Sequence, residues 1–385
     1  MLMPSLSRPG AFILLAVASL TIMVGCVIVP GLPAIARELG VPRAAAWLVT
    51  VPSLGVVVFG PLVARLSERL GLYRTLCLGL FAYGLLGAGG MFLHGAVPIF
   101  ADRLLLGGAT AAVMASGTGL ISQFYEGPAR LAMIARQGMA IELGGVLFLS
   151  AAGLLASWAW QAPFSLYLLS WLLLALVLGL IRDPGKPMSA SDAAVARGIT
   201  PALRVVYLAA VGAMVVFFSA IIALPLSLHA MGLGETAIGN FLSGVSLVAV
   251  LAAALMPRVT ARLGEHGTLA LAFSAFAVGH GLFAWAPSLP WCLVGGLCLG
   301  AGFGWSVPLL NHMTVEQSAP ALRGRHLAFL SMALFLGQFL SAFLDLLPGH
   351  GDSLYLAAAL LAVALASGMA LAHRRGAATT LLNEN

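Results

Sequence analysis

The chain has 385 residues, of which 61% are hydrophobic and only 8% charged, with a formal net charge of +6. An ordinary soluble domain is about 25% charged, so this chain has too few polar groups to cover a water-facing surface, and a soluble enzyme or binding module is excluded. Its four cysteines, Cys26, Cys77, Cys292 and Cys298, lie in apolar stretches without disulfide or zinc spacing, and no metal or cofactor is expected.

Apolar stretches long enough as helices to cross ~30 Å of hydrocarbon follow one another with short polar joints. They fall near 11–30, 45–64, 75–94, 97–120, 137–157, 162–181, 205–228, 236–257, 267–286, 289–310, 327–347 and 353–372, which predicts twelve spans. The first span follows Arg8 like a signal peptide, and Met23-Val24-Gly25-Cys26 approaches a lipoprotein cleavage box. The apolar run nevertheless continues through Val27-Ile28-Val29, so the span is expected to be retained. With both termini cytoplasmic, sixteen of the nineteen basic residues fall in inner joints, and only Arg37 and Arg43 face outward, with Arg103 inside a span. This bias predicts an N-in, C-in topology. The positive charge thus reports orientation, and no nucleic-acid partner is expected.

The joint after span 2 reads Arg65-Leu66-Ser67-Glu68-Arg69-Leu70-Gly71, and 193 residues further on stands Arg258-Val259-Thr260-Ala261-Arg262-Leu263-Gly264. The same offset matches Met139, Ala140, Leu143, Gly144 and Leu147 to Met332, Ala333, Leu336, Gly337 and Leu340, and more weakly Leu104, Leu106 and Gly107 to Leu297, Leu299 and Gly300. Three stretches in one register predict a duplicated six-span unit. Residues 64–71, followed by Arg74, resemble the Gly-x-Leu-x-Asp-Arg-x-Gly signature of the major facilitator superfamily, with Ala64 and Glu68 in place of the glycine and the aspartate. The resemblance implies a cytoplasmic latch that forms in the outward-open state and breaks in the inward-open one. Glu68, Arg69, Gly71 and Arg74, with Arg262 and Gly264 in the second copy, are then the gate candidates. The other reading of the joint is a positive-inside anchor with an incidental glutamate, and the spacing favours the latch.

Ionisable groups inside spans are costly unless paired or hydrated, which makes them the next candidates. Span 4 carries Asp102 and Arg103 ahead of Gly107, a pattern similar to the family's Arg-x-x-x-Gly, whose arginine is linked to proton coupling in drug/proton antiporters. Adjacent helical residues point about 100° apart, so the two are not expected to pair; a helix N-terminal acid favoured by the dipole is the other reading of Asp102. Glu142 in span 5 matches the apolar Phe335 in the second repeat. It is expected roughly 8 Å inside the cytoplasmic end. A carboxyl there either exchanges protons or is a hydrogen bond to a neighbouring helix. Together Glu142, Asp102 and Arg103 are the proton-coupling candidates.

Pro184, Gly185, Pro187, Ser189, Ser191 and Asp192 mark a flexible linker between the halves. Lys186 is the only lysine and no Walker-type loop occurs, so ATP hydrolysis is not expected. In the second half, Asn311, His312, Gln338, Trp305 and Phe217 are candidates to line a substrate cavity, although packing explains the aromatic residues equally well. His280 in span 9 reads as a structural histidine. Gly296, Gly300 and Gly304 form a stripe on span 10 that suits either a moving helix or tight packing.

The expected fold is an all-α integral membrane protein of two six-helix bundles, 1–181 and 204–385, joined by a cytoplasmic linker at 182–203. The resemblance implies a monomeric secondary transporter of the bacterial inner membrane, with a small molecule and protons as partners. The span-4 arginine favours export. Against it, Leu149-Ser150-Ala151-Ala152-Gly153 lacks the antiporters' Gly-Pro-x-x-Gly-Gly element, which leaves import or facilitation open. A lipid-acting enzyme or a receptor is the remote alternative, since no nucleophile-and-base motif and no signalling domain stands in the chain.

Overall fold

A computed structural model describes residues 6–185, 199–285, 288–319, 322–348 and 351–383, and among these residues the protein contains helices and no strand. Lys186, Arg197 and most of the expected linker lie outside the described residues.

Helix α1 spans Arg8–Cys26, where the Ser7 hydroxyl accepts from the Gly10 amide at 3.2 Å and Pro9 begins the first turn. A short helix, α2 (Leu32–Glu38), was not anticipated; it buries Leu32, Ile35 and Ala36, so the joint carrying Arg37 is folded. The first unit continues with α3 (Ala45–Leu70), α4 (Leu72–Gly89), α5 (Ala96–Phe124), α6 (Gly127–Ala156) and α7 (Leu169–Leu180), the last entered through a 3₁₀ turn at Ala162–Leu168. The second half comprises α8 (Pro201–Ala230), α9 (Glu235–Trp285), α10 (Leu289–Glu316), α11 (Arg323–Ser341) and α12 (Gly351–Asn383). The chain clusters into two compact units, Met1–Arg197 with Gly234–Ser243, and Gly198–Leu233 with Gly244–Asn385.

Eleven helical segments among the described residues are long and apolar enough to cross a membrane. One of them, α9, is 51 residues long and breaks at Gly264, where φ is 68° and ψ 173°. Counting its two arms gives the twelve spans expected. Gly71, between α3 and α4, has the matching conformation, φ 87° and ψ 157°, which only glycine adopts without strain. The following turn is built alike in both copies. The Thr75 hydroxyl donates to the Gly71 carbonyl at 2.9 Å, and Thr268, its counterpart 193 residues on, donates to the Gly264 carbonyl at 2.8 Å.

Helix crossings repeat in the same register. In the first unit Gly107 of α5 lies directly against the Pro52 carbonyl and Gly55 of α3, with no room for a side chain. In the second, Gly300 of α10 lies against the Val245 carbonyl and Val248 of α9, the equivalent positions. Lipid offers apolar helices no hydrophobic reward for association, so such backbone approaches supply the contact. The glycine stripe of α10 is therefore a packing surface, since Gly304 also meets the Ala249 carbonyl.

Gly71→Ala and Gly264→Ala are each expected to destabilise the detergent-purified protein by about 1 kcal/mol, read as a lower melting temperature. Gly138→Ala, helical and with open space around its Cα, should leave the melting temperature unchanged or raise it.

Candidate functional site

The most completely buried charge among the described residues is Arg103, at 1% exposure, with Asp102 beside it at 7%. Both sit about two turns into α5. Contrary to the expectation from helical geometry, the neighbours do approach each other, Arg103 Nε lying 3.5 Å from Asp102 Oδ2. The Cα–Cβ directions diverge as expected, but arginine is long enough to fold back along the helix, and burial removes water as the competing partner. The contact is electrostatic and lacks hydrogen-bond geometry, leaving Asp102 Oδ2 and Arg103 Nη2 without hydrogen-bond partners.

Aromatic rings complete the guanidinium's surroundings. Its carbon stands 5.4 Å from the Phe164 ring centre and 5.7 Å from that of Tyr167, and Nη1 donates to the Tyr167 hydroxyl at 3.4 Å. Cation–π contact of this kind strengthens when desolvated. Tyr167 in turn reaches the Val24 carbonyl of α1 at 3.4 Å, while Tyr83 of α4 donates to the Leu20 carbonyl at 2.7 Å. Arg103 thereby links α5 to the α7 entry turn and, through Tyr167, to α1. The fourth wall is Gly90, where any side chain would land on Arg103 Nη2 and meet Asp102 Oδ2 at 3.1 Å.

Gly90 and Tyr167 escaped sequence reading, yet the 193-residue register carries a signal for the first. Gly90 corresponds to Phe283, and Asp102-Arg103 to Gly295-Gly296. In the second unit a side chain at Gly295 would land on the Phe283 ring. Small and large have changed places across one interface: the first repeat fills it from α5 with charge, the second from α9 with an aromatic ring. Close by, His280, buried with its Nε2 2.8 Å from the Val216 carbonyl, occupies the position of Gly87, as fits a structural histidine.

Glu142 lies on α6, which begins at Gly127, ahead of the apolar run that starts near 137. It is half-buried on a helix packed against α1, within electrostatic reach of the Cys26 thiol, and makes no hydrogen bond or ion pair among the described residues. The structure does not bring it to Arg103.

The remaining candidates are dispersed. Glu68, Arg69 and Arg74 are exposed and form no ion pair among the described residues, and Arg262 is likewise exposed; Gly71 and Gly264 are the helix breaks already described. Phe217 belongs to an aromatic core, 4.2 Å from Phe303 and 6.4 Å from Phe276 between ring centres. Gln338 is buried, at 4% exposure. Trp305 is half-buried with an unpartnered Nε1. Asn311 donates to its own helix at Val307, and His312 lies near the second glycine break, 3.9 Å from Glu265.

The profile of the Major Facilitator Superfamily matches residues 11–342. The chain belongs to that family. Its fold is similar to the inward open xylose transporter XylE from E. coli (TM-score 0.71, 16% identity, covering 92% of this chain and 94% of that one). It is also similar to a D-xylose-proton symporter (0.72, 18%, 94% and 97%) and to a POT family transporter in complex with 5-aminolevulinic acid (0.76, 11%, 95% and 96%). Identities this low speak for the fold alone. Family and fold together make this protein a multi-pass membrane transporter and not an enzyme.

A double-mutant cycle tests the interlock around Arg103. Gly90→Ala should lower thermal stability markedly in the native background and little in Arg103→Met, with a coupling of about 1–3 kcal/mol; equal costs in both backgrounds would separate Gly90 from the arginine.

Proposed function

We propose that this transporter exports a small molecule from the bacterial cytoplasm in exchange for protons, by alternating access between its two repeats. The observation that carries this reading is Glu142, a half-buried carboxyl within the apolar span of α6 that has no hydrogen bond or ion pair among the described residues. An acid at membrane depth is retained at a cost of several kcal/mol and marks a coupling or substrate site by default. Glu142 takes the role of proton carrier, with Asp102 as the second carboxyl. Arg103, clamped between rings, tunes Asp102 and holds α5 in place. Glu68 with Arg69 and Arg74 acts as the cytoplasmic latch, and both termini face the cytoplasm, in keeping with the distribution of arginines. The transporting unit is a monomer.

A second reading is favoured by one feature of α6. The stretch Leu149–Gly153 lacks the Gly-Pro pair of the antiporters, and a symporter or facilitator of a small metabolite fits its absence, as does the similarity in fold to a D-xylose-proton symporter.

Proteoliposomes carrying an internal pH dye distinguish the two. Lipophilic drugs, metallophores, amino acids and sugars are added in turn, and proton movement is compared with that in Glu142→Gln vesicles. Counter-directed proton movement that is lost at least about tenfold in the variant is the expected result. Co-directed movement makes the protein a symporter, survival in the variant shifts the carrier to Asp102, and substrate flux without protons makes it a facilitator.

A further inference from the structure

The first unit carries an apolar groove of about 470 Å³ between α3, α4 and α5. Leu62 and Leu66, Leu78 and Leu105 form its rims and are between 37% and 53% exposed, while Gly79, Ala82 and Gly108 form a shallow floor. Its only polar lining residue is Thr75, whose hydroxyl is already donated to Gly71. On α4 the lining runs from Thr75 to Leu86, a length of roughly 16 Å at 1.5 Å per residue. That is about half of a ~30 Å hydrocarbon core, the depth of one leaflet.

The end of the groove is basic. Arg69 follows Leu66 by three residues on α3, and Arg74 precedes Leu78 by four on α4, spacings that keep each arginine on the groove face of its helix. Both are exposed and neither has an ion pair among the described residues. Glu68, two positions beyond Leu66, turns about 200° away from that face. An apolar slot one leaflet deep, closed at the water end by two unpaired guanidinium groups, has the chemistry of a phospholipid acyl chain with an anionic headgroup.

We propose that the groove bounded by α3, α4 and α5 is a binding site for an anionic phospholipid, its acyl chain against Ala82 and Gly108 and its phosphate on Arg69 and Arg74. Annular lipid exchanges without regard to headgroup; this site selects for charge. The inference shares Arg69 and Arg74 with the proposed latch, but its readout is bound lipid and not flux, so either reading can fail without the other.

The full chain is equilibrated in detergent with equal amounts of phosphatidylglycerol and phosphatidylcholine of identical acyl chains, and retained lipid is read by native mass spectrometry. The wild type should retain phosphatidylglycerol over phosphatidylcholine by about tenfold or more. The preference should vanish in R69Q/R74Q, which keeps the groove, and retention should fall in Ala82→Phe, which fills the groove and keeps the charge. R37Q/R43Q, on the other side, should behave as wild type. Melting curves confirm that each variant is folded, and Leu78→Gln, an exposed rim change, replaces Ala82→Phe if that protein is not. Equal retention of the two lipids by the wild type, or undiminished phosphatidylglycerol in either the charge or the groove variant, overturns the site.

Discussion

Hydrocarbon offers no partner to a peptide group, and the rest of this structure follows from that constraint. Every N–H and C=O at membrane depth must be satisfied inside its own segment, so the chain is helical from end to end of each span. Helices that cannot gain by hiding apolar surface from water must gain by contact. The contacts are therefore made backbone to backbone, at Gly107 against Pro52 and Gly55, and at Gly300 against Val245 and Val248. Where the chain must leave the membrane and return within a few residues, it uses the one residue that tolerates positive φ, at Gly71 and again at Gly264.

The same poverty of partners governs the charges. Arg103 is excluded from water, so its guanidinium is surrounded by what the fold can supply: a carboxylate at 3.5 Å and two aromatic rings at 5.4 and 5.7 Å. None of these is ideal, and two atoms of the pair lack a hydrogen bond. Removing one partner alone would leave the other charge buried without compensation, which is costlier than never having buried the pair. The second repeat took the other route and replaced Asp102-Arg103 with Gly295-Gly296 while Gly90 became Phe283. Both arrangements fill the same gap. Packing alone can thus be achieved without charge, and this contrast directs attention to chemistry in the first repeat.

Much of this was legible in the sequence. The twelve spans follow from hydropathy, and the duplication from a single offset, because bilayer thickness imposes a period and glycine-dependent turns resist substitution. The start of α6 was less legible, since hydropathy marks where an apolar run begins and not where a helix does, and α6 starts at Gly127 amid polar residues. Side-chain reach was misjudged for a different reason. The rule that neighbours on a helix diverge concerns Cβ atoms, and arginine has two more carbons to turn with before Nε, the atom that meets Asp102. The Gly90–Arg103 contact was present in the 193-residue register as a reciprocal exchange of size, but it becomes visible only when positions are compared for volume instead of identity.

The two acids of the first repeat are held under different rules. Asp102 lies beside a fixed cation, so a proton arriving there disrupts an existing ion pair and must displace Arg103 or leave it uncompensated. Glu142 has no such partner among the described residues, and a proton changes its charge without breaking an ion pair. A coupling site has to change protonation while the fold stays intact, and a group with nothing to surrender does this at lower cost. On the proposed reading the clamp on Arg103 and the carboxyl of Glu142, unpartnered among the described residues, divide the labour, the former keeping α5, the α7 entry turn and α1 in register and the latter exchanging the proton.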